Sequence, residues 1–278
     1  MTPRLSVLIP AHNEADYIRS CLQAVFASDP LPAGMTAEVL VLANGCTDAT
    51  AAHARRTAVP IGWELLVLEL PEGGKLGALN AGDAAARGDI LIYLDADVQV
   101  SPELIAQIAA ALDSRAPRYA SGRPQVPPAR SLVTRAYARL WMQLPFFSSG
   151  VPGFGVFAMN RAGRQRWGGW PDIIADDIFA RLHFTPQERV QVAASYSWPM
   201  VEGFRNLVKV RRRQNAGVTE VAKTWPHLMR NEDTPRVGPG RALRLLLRDP
   251  AGFLAYAAVA FAVKTPLSAS RSRWTRGR

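Results

Sequence analysis

Asp95 and Asp97 are the residues of this chain whose type, spacing and setting point most directly to chemistry. Two carboxylates two residues apart can share one hard cation, and a diphosphate can supply the remaining oxygens of a Mg²⁺ or Mn²⁺ shell. The pair directly follows the apolar run ILIYL, which reads as a strand buried on both faces. In an open α/β sheet, ligands bind beyond the carboxyl ends of the strands. The Asp-x-Asp spacing alone arises readily by chance, so its weight comes from this position.

A second acidic pair, Asp176-Asp177, lies in DIIADDIFARLHF, which reads as a helix over 172–184. A hydroxyl is a poor nucleophile at neutral pH, and a positioned carboxylate can take its proton as a new bond forms. Adjacent carboxylates also repel, which raises at least one pKa. Asp176 reads equally as a helix-surface acid near the positive end of the dipole. The cluster Arg211-Arg212-Arg213 offers guanidinium forks that match phosphate oxygens, and Arg212 and Arg213 are expected near a diphosphate. Trp167, Trp170 and Trp198 flank the acidic helix, and Trp170 is expected to wall an acceptor. Core packing is the other reading of these rings.

These groups need a frame, and the first half of the chain supplies one. Apolar runs at Leu5–Ile9, Val39–Leu42, Leu65–Leu68 and 90–94 alternate with helical patterns at 17–25, 49–58 and 76–86. That alternation predicts a parallel sheet with helices on both faces. Further on, SPELIAQIAAAL starts a helix with Ser101 as cap and Pro102 in the first turn. A proline-rich link is expected at Arg123–Pro128, a glycine-containing strand at Val151–Met159, and mostly basic helix beyond Gly203.

The 278 residues carry a net charge of +10, concentrated in the last third: KVRRR at 209–213, then Arg241, Arg244 and Arg248, then RSRWTRGR. Such asymmetry implies a phosphate clamp or an anionic membrane surface rather than a nucleic-acid partner; a solvated basic face is the plainer reading. Cys21 and Cys46 form neither a zinc spacing nor a disulfide framework, and His12, His53, His183 and His227 are scattered. No secretory signal opens the chain, so a cytoplasmic protein is expected. Ala251–Val263 is apolar but short of the ~20 residues that cross a bilayer. It suits a helix lying on the inner face of the cell membrane, or one docked on the core.

Around the Asp-x-Asp pair the sequence resembles glycosyltransferase family 2. SVLIPAHNEADYIRSCL is similar to that family's first strand and donor-pocket loop, VLANGCTDAT to its second strand and turn, GGKLGALNAG to its phosphate-side loop, and ILIYLDADV to its metal motif. GFGVFAMNRAGRQRWGGWPDIIADDIFARL is similar to its acceptor-side block. The resemblance implies an α/β fold of the GT-A type. It implies a domain over 1–217, with a nucleotide-sugar half at 1–100 and an acceptor half at 101–217, followed by a basic helical extension at 218–278. It implies inverting transfer from a nucleotide-diphosphate sugar to a hydroxyl acceptor, a sugar or a lipid-linked one.

By the same resemblance Pro10, Ala11, His12, Asn13 and Glu14 line the nucleoside pocket, although Asn followed by an acid also starts helices well. Asp95, Ala96 and Asp97 meet the donor, with the two carboxylates on a divalent cation. Lys75 approaches the phosphates, Asp176 stands beside the acceptor, and Asp177 is the catalytic base. The second turn reads Ala43-Asn44-Gly45 where many relatives carry two acids; Asn44 can accept the imide hydrogen of a base but also offers donors. The Gln-x-x-Arg-Trp motif of processive synthases is absent, which favours a single-transfer enzyme. Two other readings compete. A haloacid-dehalogenase-like phosphatase would use Asp95 as nucleophile, but such a nucleophile typically ends the first strand. A nonenzymatic basic membrane-binding protein leaves the acids unexplained.

Overall fold

The computed structural model describes residues 4–265. The apolar runs form β1 (Arg4–Ala11), β2 (Thr36–Asn44), β3 (Trp63–Leu70) and β4 (Ile90–Leu94), connected by α1 (Ile18–Phe26), α2 (Thr50–Arg55) and α3 (Lys75–Ala85). The acceptor half follows as β5 (Gln99–Val100), α4 (Leu104–Leu112), β6 (Tyr119–Gln125), α5 (Leu132–Trp141), α6 (Pro145–Ser148), β7 (Val156–Asn160), α7 (Arg161–Arg164), α8 (Asp176–Leu182) and β8 (Arg189–Ser197). Three helices end the described chain: α9 (Phe204–Thr224), α10 (Pro239–Arg248) and α11 (Pro250–Lys264).

Among the described residues one eight-stranded sheet runs β3-β2-β1-β4-β7-β6-β8-β5. β3, β2, β1 and β4 are parallel, as right-handed crossovers through helices require. β7 then pairs with β4 in the opposite sense, Val156 facing Leu94. That register brings the start of β7 to the carboxyl end of β4. The α/β expectation, a mostly parallel sheet with helices on both faces, is met.

Alternation along each strand builds two cores. Leu5, Val7 and Ile9 pack with Ile18, Leu22 and Val25 of α1 and with Leu104 and Ile108 of α4. On the other face Leu8, Leu40 and Leu42 meet Leu76 and Leu79 of α3 and Phe179 and Leu182 of α8. Each such side chain, once fully buried, contributes about 1.5–3 kcal/mol. Gly82 permits the close approach of α3, because a Cβ there would stand 2.6 Å from Leu42 Cδ1 and 2.8 Å from Leu8 Cδ2.

Several boundaries differ from expectation. The first half of the proline-rich link is strand: β6 runs to Gln125, and Pro124 follows a register shift against β8, where the ladder tolerates a missing N–H. The strand expected over 151–159 begins at Val156, because Val151 takes a left-handed turn with φ of 54°. The helix expected over 172–184 shortens to α8, since Ile173 and Ala175 are drawn into the core and Ala175 seats close against α9, where a Cβ on Gly217 would stand 2.8 Å from the Ala175 Cβ. α9 runs unbroken through the expected 217/218 boundary, and α9, α10, α11 and α5 share a third apolar cluster that includes Leu207, Leu245, Val259 and Trp141.

Candidate active site

The strand ends place the acids. Asp95 leaves β4 with its N–H donating to the Gly155 carbonyl at 2.8 Å, a bond made possible by the antiparallel entry of β7. Lys75 opens α3, and its Nζ lies 2.8 Å from Asp95 Oδ1 and 2.9 Å from Asp176 Oδ2. One ammonium thus ties the residue after β4 to the first residue of α8. Residues 75, 95 and 176, which the sequence singled out separately, meet at one point. Asp97 stands half-buried two residues beyond Asp95, and Ala96 between them is buried.

Charge follows from this geometry. Burial opposes the Lys75 charge, but Asp176 and Asp95 outweigh it and hold the ammonium well above its ordinary range. Asp177 sits next to the pair and its Oδ1 accepts the Ile178 N–H at 2.9 Å. Burial, then the charge of Asp176, push its carboxyl up to about 6, while Lys75 pulls the other way. A carboxylate in that range is suited to take a proton near neutrality.

The loop after β1 is bound to the loop after β2. Asn13, at a left-handed φ of 53°, accepts the N–H groups of Thr47 at 2.6 Å and Asp48 at 3.2 Å through Oδ1. Its side chain therefore serves the approach to α2 rather than capping its own helix. The Glu14 N–H donates to Thr50 Oγ1 at 2.7 Å and the Ala15 N–H to Asp48 Oδ2 at 3.1 Å. Pro10 and Ala11 end β1, and Ala11 is buried. His12 Nδ1 lies 2.6 Å from the Asn44 carbonyl, with its ring against Gly73. Gly45, at φ of 55°, lets this wall close, because a Cβ there would stand 2.7 Å from the Gly73 nitrogen.

Three expectations are corrected. Asn44 is 3% exposed and its amide is fully engaged by backbone. Nδ2 donates to the carbonyls of Ala11 at 3.0 Å and Leu42 at 3.1 Å, and Oδ1 accepts the Gly74 N–H at 2.9 Å. It braces the pocket instead of offering an acceptor to a base. Trp170, 4% exposed, belongs to the core: its Nε1 donates to Asp83 Oδ2 at 2.9 Å, and it packs edge-on to Tyr93 at 5.2 Å between centroids. Arg212 spends its fork on the end of α11, donating to the carbonyls of Val263 at 3.1 Å, Ala262 at 2.7 Å and Thr265. It therefore caps a helix rather than clamping a diphosphate; Arg213 lies half-buried beside it on α9.

Asp83 and the rings around Trp198 escaped the sequence reading. Asp83 accepts from Tyr93, Trp170 and Arg164 and holds the floor under α3; its position on the face of a predicted helix gave no sign of burial. Beside Gly155, Trp198 stacks on Trp141 at 5.6 Å with Phe154 and Phe147 around them. The adjacent aromatics Phe146-Phe147 were the available hint of an apolar wall next to Asp95.

A divalent cation fits this place. No group of three or more His, Cys, Asp and Glu side chains gathers among the described residues, so two oxygens from β4's end need oxygens from elsewhere. Oxygen-only donors suit Mg²⁺ or Mn²⁺. The Asp95 side chain is 35% exposed, so its carboxylate is open to such an ion.

The family model described as "Glycosyl transferase family 2" matches residues 6–167, more than half of the chain. The chain belongs to glycosyl transferase family 2. Among curated relatives, glycosyltransferase AglE of Haloferax volcanii is 38% identical over 95 residues, 34% of this chain and 31% of that protein. The probable glycosyltransferase YdaM of Bacillus subtilis is 29% identical over 197 residues, 63% of this chain and 45% of that protein. The chain spans less than half the length of these relatives. A solved mannosyltransferase from Pyrobaculum calidifontis, in complex with GDP-Man and Mn²⁺, superposes with a TM-score of 0.56 at 23% identity, covering 96% of this chain and 77% of that one. Glucosyl-3-phosphoglycerate synthase from Mycobacterium tuberculosis, with Mn²⁺, UDP and glucosyl-3-phosphoglycerate, gives 0.54 at 24% identity, covering 78% of this chain and 79% of that one. At such identities the likeness is one of fold, and it is the GT-A fold. For a family 2 chain the phosphatase and nonenzymatic readings have no support.

Proposed function

We propose that this family 2 chain is a divalent-metal-dependent, inverting glycosyltransferase. It moves a sugar from a nucleotide-diphosphate sugar to a hydroxyl of a lipid-linked acceptor, peripherally at the inner face of the cell membrane. The observation that carries the reading is the Lys75 bridge, which joins the strand-end carboxylate of Asp95 to Asp176, the helix-borne acid next to Asp177.

Asp95 and Asp97 would hold Mg²⁺ or Mn²⁺, which when bound neutralises the departing diphosphate. Pro10–Glu14 and the Gly73-Gly74 loop form the nucleoside wall, with His12 and backbone groups facing the base because Asn44 is spent. Lys75 is near enough to Asp95 to meet the phosphates. Asp177 takes the proton of the acceptor hydroxyl as its oxygen bonds to the anomeric carbon, and the diphosphate leaves with the bond electrons. Asp176, paired with Lys75, keeps that proton transfer in register.

Several relatives carry lipid phosphates in their names, among them the undecaprenyl-phosphate 4-deoxy-4-formamido-L-arabinose transferase of Edwardsiella ictaluri and the dolichyl-phosphate beta-glucosyltransferase of Drosophila melanogaster. They support a lipid-linked acceptor. The acid pair favours a hydroxyl as the attacking oxygen, since a phosphate oxygen is already ionised and gains nothing from a base beside it.

The test is thermal unfolding with UDP, GDP or dTDP, with and without Mn²⁺. A nucleotide at a hundred times its dissociation constant stabilises by about 2.7 kcal/mol. The correct nucleotide therefore raises Tm by roughly 5 °C, and only with metal present. No shift with any nucleoside diphosphate and Mn²⁺ would refute the proposal.

A further inference from the structure

α10 and α11 end the described chain with apolar side chains turned outward. Leu243 and Leu247 of α10 are 57% and 73% exposed; Leu254 and Phe261 of α11 are 65% and 72% exposed. Leu243 and Leu247 are four apart, and Leu254 and Phe261 seven apart, so each pair shares one face of its helix. The opposite side of α11 is anchored: Val259 is fully buried and Tyr256 stacks on Tyr137 of α5 at 5.4 Å. Asp249, which caps α11, pairs with Arg139 of α5 at 2.9 Å and fixes the corner between the two helices. The outward leucines and phenylalanine are therefore held in place on a rigid support.

Arginines border this apolar face. Arg241, Arg244 and Arg248, three and four apart, line a cavity of about 470 Å³ with Gln143 and Leu245. Arg241 donates to the Gln143 carbonyl at 2.8 Å. No carboxylate pairs with Arg244 or Arg248 among the described residues, and the acids nearby in sequence, Glu232, Asp233 and Asp249, are taken by Arg181, Arg189 and Arg139. No helix among the described residues is long and apolar enough to cross a membrane.

We infer that α10 and α11 form a docking face for an anionic phospholipid bilayer, with Leu243, Leu247, Leu254 and Phe261 entering the interface and Arg241, Arg244 and Arg248 taking phosphate headgroups. An apolar face rimmed by arginine is the chemistry of a helix lying in the headgroup region. Charge decides the occupant. Residues 266–278 carry Arg271, Arg273, Arg276 and Arg278 and no acid, so that segment does not complement the arginine cavity. A second copy brings the same arginines. An anionic surface complements both the cavity and the chain's net +10. This face deepens the proposed function, since it would bring the transferase to a lipid-linked acceptor, and rests on it only for that purpose.

Flotation with phosphatidylglycerol-containing vesicles and with phosphatidylcholine vesicles tests it, using the full chain. Binding is expected to the anionic vesicles alone and to fall with salt. The double variant Arg244→Gln/Arg248→Gln should bind roughly thirtyfold more weakly, from about 1 kcal/mol for each charge near the surface. Leu243→Ser/Leu247→Ser should also weaken binding. All four residues are exposed, so unchanged Tm values show that the variants fold. Absence of binding at low salt, or binding by both double variants as tight as the wild type's, overturns the inference, as does self-association of the chain that the leucine variant abolishes. The Mn²⁺-dependent nucleotide shift, measured on the same samples, separates failure of this face from failure of the transferase reading.

Discussion

The Lys75 ammonium rests 2.9 Å from Oδ2 of Asp176, joining the first residue of α3 to the first of α8. A lysine at a helix N-terminus faces the positive end of the dipole, an unfavourable place. Asp176 and Asp95 hold it there. The contact therefore links the start of α3 to the acid pair and sets the charge around Asp177.

Replacing Lys75 with Met leaves Asp176 buried without its partner. Breaking a buried pair in this way costs about 3–5 kcal/mol. The variant should melt well below the wild type, and the acidic limb of its pH–rate profile should move up, because Lys75 lowers the Asp177 pKa. Calorimetry and a pH series check both.

Asp177→Asn should raise stability at neutral pH. The folded pKa of Asp177 lies above its unfolded value, so the wild type loses stability as pH rises from about 4 to about 6, when the buried carboxyl must ionise beside Asp176. The amide removes that loss. Its Tm should exceed the wild type's at pH 7.5 and converge with it at pH 4, a comparison made by scanning at both values.

Asp97→Asn should abolish the stabilisation that Mn²⁺ and nucleoside diphosphate give together, measured as the Tm shift on adding both ligands to the variant. Retention of the full metal-dependent shift would remove Asp97 from the metal site.

Arg212→Gln distinguishes a helix cap from a phosphate clamp. Arg212 donates to the carbonyls of Ala262, Val263 and Thr265 at the end of α11. Loss of these charge-assisted bonds should lower stability by about 1.5–3 kcal/mol while donor KM stays within twofold. A tenfold rise in KM with unchanged Tm would restore the clamp.

The parallel half of the sheet was legible because strands buried on both faces are continuous apolar runs, as at 90–94. β8 was missed, since RVQVAASYS alternates only weakly, and β6 was hidden by its glycine and proline. In the site, Lys75, Asp95 and Asp176 could each be picked out by type and neighbourhood. Their meeting needed the antiparallel entry of β7 and the seating of α8. Asn44 and Arg212 were misread for one reason: their hydrogen bonds are consumed by backbone about 30 and 50 residues away, which no local pattern encodes. The Asp83 network, drawn from α3, β4 and the segment after β7, was hidden in the same way.

Single-turnover transfer on Mn²⁺-saturated enzyme, followed across pH for the wild type and Asp177→Asn, tests the base assignment most directly. The wild-type rate should rise with pH through about 6 and then level, and the variant should be slower by about 10²–10⁴-fold with that rise gone. A variant that transfers sugar at the wild-type rate with the same pH profile would contradict it.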